Sequence, residues 1–131
     1  MSIEVATVLV LIALLQIKHL FADYFLQSER MLKNRSTYLH LGRMQHAAIH
    51  AALSVLCLLV IGAPVLFVLV LCLIEGGVHF HIDWLKGLYS KQSGDTPEDA
   101  SYWRAFGADQ LLHMLTYIAM AWAWVVFASG S

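Results

Sequence analysis

Four stretches of mostly apolar residues, each about the length of a membrane-crossing helix, limit what this chain can fold into. They cover residues 5–27, 43–61, 64–86 and 106–128. A helix rises ~1.5 Å per residue and needs ~20 residues to cross ~30 Å of hydrocarbon. Open strands would leave backbone groups unsatisfied in lipid, and no stretch has the alternating pattern of a barrel. The predicted fold is therefore all-α, a four-transmembrane-helix bundle forming one integral membrane domain over residues 1–131. Composition points the same way: 131 residues are 60% hydrophobic and 13% charged, with a mean hydropathy of +0.68. So small a chain has too little core to hide that excess. A net charge of −1 and the lack of a basic block exclude nucleic acid as a partner. Cys57 and Cys72 fall inside apolar runs, where a thiol acts as a small hydrophobe, so a disulfide-stapled scaffold is excluded too.

Gly62-Ala63-Pro64 reads as a tight break, with Pro64 at the favoured first position of the next helix. The first stretch runs into Gln16, Lys18, His19 and Asp23 rather than a cleavage site and lacks a positive leader, so it is read as a retained span. Arg30, Lys33, Arg35 and Arg43 lie around one connection, and Lys86, Lys91 and Arg104 around the other long one. Lys18, inside the first span, is the eighth basic residue. The positive-inside rule then places both longer loops in the cytoplasm, N-out/C-out. Residues 92–100 read as a solvated loop in which Pro97-Glu98-Asp99 starts a short surface helix. Tyr102, Trp103, Trp122 and Trp124 read as interfacial anchors and lipid-facing bulk.

Ionisable residues inside spans are costly, so each is a functional hypothesis. His19 and Asp23, His46 and His50, His79 and Asp83, and Asp109 and His113 stand four apart, each pair on one face of its helix. Counted from the loop ends of the spans, His19, His50, His79 and His113 share a depth of roughly 10–12 Å. Asp23, His46, Asp83 and Asp109 share one of roughly 4–6 Å. Imidazole with carboxylate suits a divalent transition metal such as zinc, iron or manganese, and bundle cores build such sites from facing helices. All eight residues are candidate metal ligands. Asp23, Asp83 and Asp109 are also candidate general bases, or acceptors that orient the imidazoles. Lys18 lies off this face and either pairs with Glu75 or snorkels. His81 faces away from the row, His40 is a loop residue, and Gly76-Gly77 permits close helix packing.

His19-Leu20-Phe21-Ala22-Asp23-Tyr24-Phe25-Leu26-Gln27, then His79, Asp83 and Lys86, then Asp109-Gln110 with His113, occur in that order. In these segments the chain resembles the bacterial domain of unknown function 3307 family, which implies a small multi-span membrane bundle of bacterial or phage origin, hence a multi-pass protein of a bacterial inner membrane, and supplies no activity. More distantly it resembles the membrane-bound metal-dependent hydrolases.

The leading expectation is a metal-dependent, hydrolase-like membrane enzyme acting at the cytoplasmic leaflet on a lipid or an anionic head group. Arg30, Lys33, Arg35, Arg43, Lys86 and Arg104 would form a collar for it. Membrane lipid is the expected neighbour, and a homo-oligomer is a candidate assembly. A proton or metal-ion pathway is the first alternative, although the polar residues stop near Ser54, Glu75 and Tyr117, halfway along. Haem held by two histidines, and a non-enzymatic subunit with a structural polar core, are the others.

Overall fold

The computed structural model describes residues 2–33 and 35–130, and the ends of the expected domain, Met1 and Ser131, lie outside them. Among the described residues there are five helices and no strand: α1 (Ile3–Tyr24), α2 (Glu29–Leu32), α3 (Leu41–Val60), α4 (Val65–Ser93) and α5 (Ala100–Phe127). All but α2 are long and apolar enough to cross a membrane. They close a ring in which α1 packs on α3, α3 on α4, α4 on α5, and α5 back on α1.

Local chemistry sets the ends. The Ser2 hydroxyl accepts from the Val5 amide at 3.2 Å and starts α1. Between α3 and α4 the chain reverses through Gly62, whose φ of 78° suits glycine, and Pro64 takes the cap position just before Val65. α4 runs past Lys86 to Ser93, longer than the expected span, because Lys91 and Gln92 are good helix formers in water. Gly94 ends it at φ 68°, its N–H bonded to the Ser90 carbonyl. Pro97-Glu98-Asp99 starts no separate surface helix: it leads directly into α5, which begins at Ala100. There the Asp99 carboxylate accepts from both the amide and the hydroxyl of Thr96, which holds its carboxyl below the ordinary range. This tie is intact at neutral pH and fades as pH falls through that depressed range. With 29 residues, α4 is about 43 Å long and projects beyond ~30 Å of hydrocarbon at the loop end.

The interior has two halves. Toward the Gly62 turn, Leu11, Leu15, Leu58, Val68, Met120 and Ala121 form an apolar core that also holds the free thiols of Cys57 and Cys72. Trp124 is buried in that core rather than facing lipid. It continues the stripe Asp109, His113, Tyr117, Met120 at helical spacing, so the rotation that turns the histidine inward turns the indole inward as well. Trp103 and Trp122 are exposed, as expected, and so are Leu9, Leu20, Leu56, Leu69, Leu73 and Ile118. Toward the loops, the interior is polar.

The connection between α1 and α3 folds onto the bundle where two glycines admit it. A Cβ at Gly42 would stand 2.5 Å from the Arg30 carbonyl oxygen, and one at Gly87 2.5 Å from that of Arg35. Tyr38 packs edge-on against Phe80 and Trp84, and the Trp84 indole donates to the Ser36 carbonyl at 3.3 Å.

Candidate metal centre

Each of the four long helices sends its histidine row to the same place. His50 and His79 stack at 3.7 Å between centroids, His79 and His113 lie at 4.3 Å, and His46 and His50 at 4.6 Å. His19 stands 5.1 Å from His113 and 5.2 Å from His50. All five imidazoles are buried. Asp23 and Asp83 lie between the rings on the loop side, and Asp109 lies at the edge beside Lys86.

The two central carboxylates are treated differently. Asp23 is held tightly: His50 Nε2 donates to Oδ1 at 2.9 Å, His19 Nε2 stands 3.2 Å from Oδ2, and His46 Nε2 3.3 Å from Oδ1. Asp83 has three imidazole nitrogens around it at longer range, His79 at 3.4 Å, His46 at 3.6 Å and His113 at 3.8 Å. Two ligand atoms on one tetrahedral zinc, each ~2.0–2.1 Å from the ion, stand roughly 3.3–3.4 Å apart. The Asp83 separations start at that edge length.

Hydrogen bonding sorts the histidines further. Lys18 donates to His50 Nδ1 at 3.3 Å, to the His50 carbonyl at 3.2 Å and to Glu75 at 2.9 Å. An ammonium can only donate, so His50 carries its hydrogen on Nε2 and spends it on Asp23. His19 Nδ1 accepts from the Tyr117 hydroxyl at 2.8 Å, and its Nε2 faces two acceptors, Gln110 Oε1 at 3.2 Å and Asp23. His19 therefore carries its hydrogen on Nε2, donating to Gln110 with the Asp23 carboxylate alongside. His113 differs: Nδ1 donates to the Asp109 backbone carbonyl at 2.9 Å, which leaves Nε2 as a bare lone pair aimed toward Asp83. Neither nitrogen of His79, nor His113 Nε2, has a hydrogen-bond partner although all three are buried. A neutral imidazole keeps one lone-pair nitrogen, so His79 and His113 each bury an unpaired acceptor, which is costly unless something positive joins it.

Two groups have ligand atoms close enough to share one ion, Asp23 with His46, His50 and His79, and His79 with Asp83 and His113. His19 and Asp109 stand beside these groups rather than in them. Asp109 accepts from Lys86 at 3.0 Å and from Gln110 at 3.2 Å, while its Oδ1 has no hydrogen-bond partner. Lys18 takes the first of its two expected fates, a buried pair with Glu75.

A cleft of about 580 Å³ opens from the loop end to Asp23, bordered by Gln27, Arg35, Ser36, Lys86 and Lys91. Lys86 and Arg35 thus meet the expected collar, but Arg43 does not. It is buried, donates to the Tyr38 carbonyl at 3.2 Å and lies over the Phe80 ring. Its place in the first turn of α3 turns it under the folded-over loop. His40 is half-buried at the cap of α3. His81 lies off the cluster as expected, exposed, with Nδ1 donating to the Gly77 carbonyl at 2.7 Å and Nε2 accepting from Tyr38. Tyr38 itself carried no signal in the sequence, because its partners are brought by the loop fold and not by spacing.

No curated protein and no solved structure matches the chain, so the expected likeness to metal-dependent hydrolases finds no support there. A family model does match, over residues 10–131, which takes in α1 from Val10 onward, the other three long helices whole and every residue of the cluster. The chain belongs to the family described as protein of unknown function (DUF3307).

Proposed function

We propose that this multi-pass membrane protein holds a divalent transition metal through His79, Asp83 and His113, and uses it hydrolytically on a lipid or an anionic head group. The observation that carries the reading is the set of bare, buried nitrogens on His79 and His113 facing the loosely held Asp83 carboxylate. Two imidazoles and one carboxylate leave a coordination position open, the pattern of catalytic rather than structural zinc sites, and iron and manganese accept the same donors. A metal in such a site lowers the pKa of bound water to ~7 and polarises the group to be cleaved.

Apart from Asp23, the remaining residues are then positioning groups. His19 and His50 fix the Asp23 carboxylate, and Tyr117, Gln110 and Lys18 fix those imidazoles in turn. Asp23 borders the open cleft and is placed to take a proton from an entering water, as a general base must be. Asp109, held by Lys86, steadies His113 from its far side. His46 lies within 3.6 Å of both carboxylates and completes the wall. The basic residues at the loop end favour a cytoplasmic opening with both termini outside, in a bacterial inner membrane.

The test is metal content of the purified protein after single substitutions. His79→Ala and His113→Ala lose the metal, since an incomplete ligand set holds it poorly, whereas His81→Ala keeps it. Asp109→Asn, beside His113, retains metal with an affinity lower by about 10–100-fold, as for partners that only orient ligands. Loss in the His81 variant together with retention in the His79 variant would sink the assignment.

A further inference from the structure

A second concavity lies on the outside of the bundle, between α4 and α5, separated from the loop-end cleft by Lys86, which borders both. It holds about 490 Å³ and faces the surroundings of the bundle rather than its interior. Ile82, Leu85, Ala105, Ala108 and Leu112 line its length. Two alanines on α5 make the hollow: bulkier side chains there would fill it. Polarity changes along the groove. Ser101 and Arg104 are at the loop end, Lys86 and Asp109 form the wall toward the metal cluster, and Leu112 and Ile82 close the deep end. Arg104 is exposed and makes no hydrogen bond or ion pair among the described residues. From Ser101 to Leu112 the groove spans about 16 Å, close to half of ~30 Å of hydrocarbon, which is one leaflet.

We infer that this groove seats one anionic phospholipid, an acyl chain against Ala105, Ala108 and Leu112 and its phosphate on Arg104 and Lys86. The charge, the taper from polar to apolar and the length all match such a molecule. Asp109 already balances Lys86, so Arg104 is the uncompensated cation of the groove, and a zwitterionic lipid offers the same chain but no net negative charge for it. The arrangement brings the head group to the one side chain shared by the groove and the cleft, so a lipid reaches the cluster sideways from the bilayer. This inference rests on the reading of lipid as substrate, and lipid retention is measured apart from metal content so that either can fail alone.

The experiment is native mass spectrometry of the full chain in detergent, with equal additions of phosphatidylglycerol and phosphatidylcholine. The wild type retains one phosphatidylglycerol in preference to phosphatidylcholine, and soluble glycerol phosphate does not displace it. Arg104→Gln lowers retention about fivefold, the worth of one basic side chain at an anionic head group. Ala108→Leu fills the groove from an exposed position and lowers retention of both lipids. Both variants keep the wild-type metal content. Equal retention of the two lipids by the wild type, displacement by glycerol phosphate, or undiminished retention by Ala108→Leu would overturn the inference.

Discussion

At the scale of single residues, the buried Lys18–Glu75 pair is where a change has the largest consequence. Lys18 spans 2.9 Å to Glu75 and also supplies the donor that sets the His50 tautomer. Lys18→Met removes a charge and strands another, for which the cost is about 3–5 kcal/mol. Adding Glu75→Leu removes the stranded carboxylate and recovers most of that loss, because the pair contributes little beyond its own desolvation. Thermal unfolding of the two variants in detergent measures both effects, and a double variant no more stable than the single one would contradict this reading of the pair. The inward direction of His19, His50, His79 and His113 was legible from spacings of four within each helix. Which nitrogens are free was not, since that depends on Tyr117, Gln110 and Lys18, partners that spacing cannot assign. Arg43 shows the same limit: its charge suggested a solvated collar, and a loop folded over it decided otherwise.

Among the elements, the four long helices could be read from apolar length alone, whereas their loop-end boundaries could not. Apolar content ends where the membrane ends, but a helix ends where its capping chemistry ends, so α4 continues to Ser93, capped by Gly94, and α5 starts at Ala100, capped by Asp99. The glycines separate by the same reasoning. Gly87→Ala drives a Cβ into the Arg35 carbonyl and costs about 1–3 kcal/mol, as overpacking does. Gly77→Ala meets nothing within 4 Å and stabilises α4 by roughly 0.5–1 kcal/mol. Tryptic cleavage after Arg30 and Lys33 reports the difference, since only the Gly87 change lifts the connection between α1 and α3 off the bundle. Unchanged cleavage in the Gly87 variant would contradict the role given to the close approach of Arg35 to Gly87. Gly76 lies in ordinary contact with Ala51 of α3, which fits the close helix packing read from the sequence, while Gly77 takes no part in it.

Across the whole molecule, an apolar half and a polar half share one bundle, and the polar half opens at the end that carries the basic residues. Reporter fusions at Leu41 and Ser93 test its sidedness: both should read cytoplasmic, and an external reading at either would reverse the proposed orientation. The segregation also bears on the pathway alternative. Beyond Glu75, Ser54 and Tyr117 the interior is Leu11, Leu15, Leu58 and Val68, with nothing to carry an ion onward. A site that opens on one side and is sealed on the other suits binding and chemistry better than conduction. The most direct measurement is elemental analysis joined to X-ray absorption spectroscopy on the detergent-purified protein. Stoichiometric zinc, iron or manganese, with an imidazole signature and only nitrogen and oxygen neighbours, is the predicted result. Protein free of stoichiometric metal after purification without chelators, or metal bound through sulfur, would contradict the proposed centre.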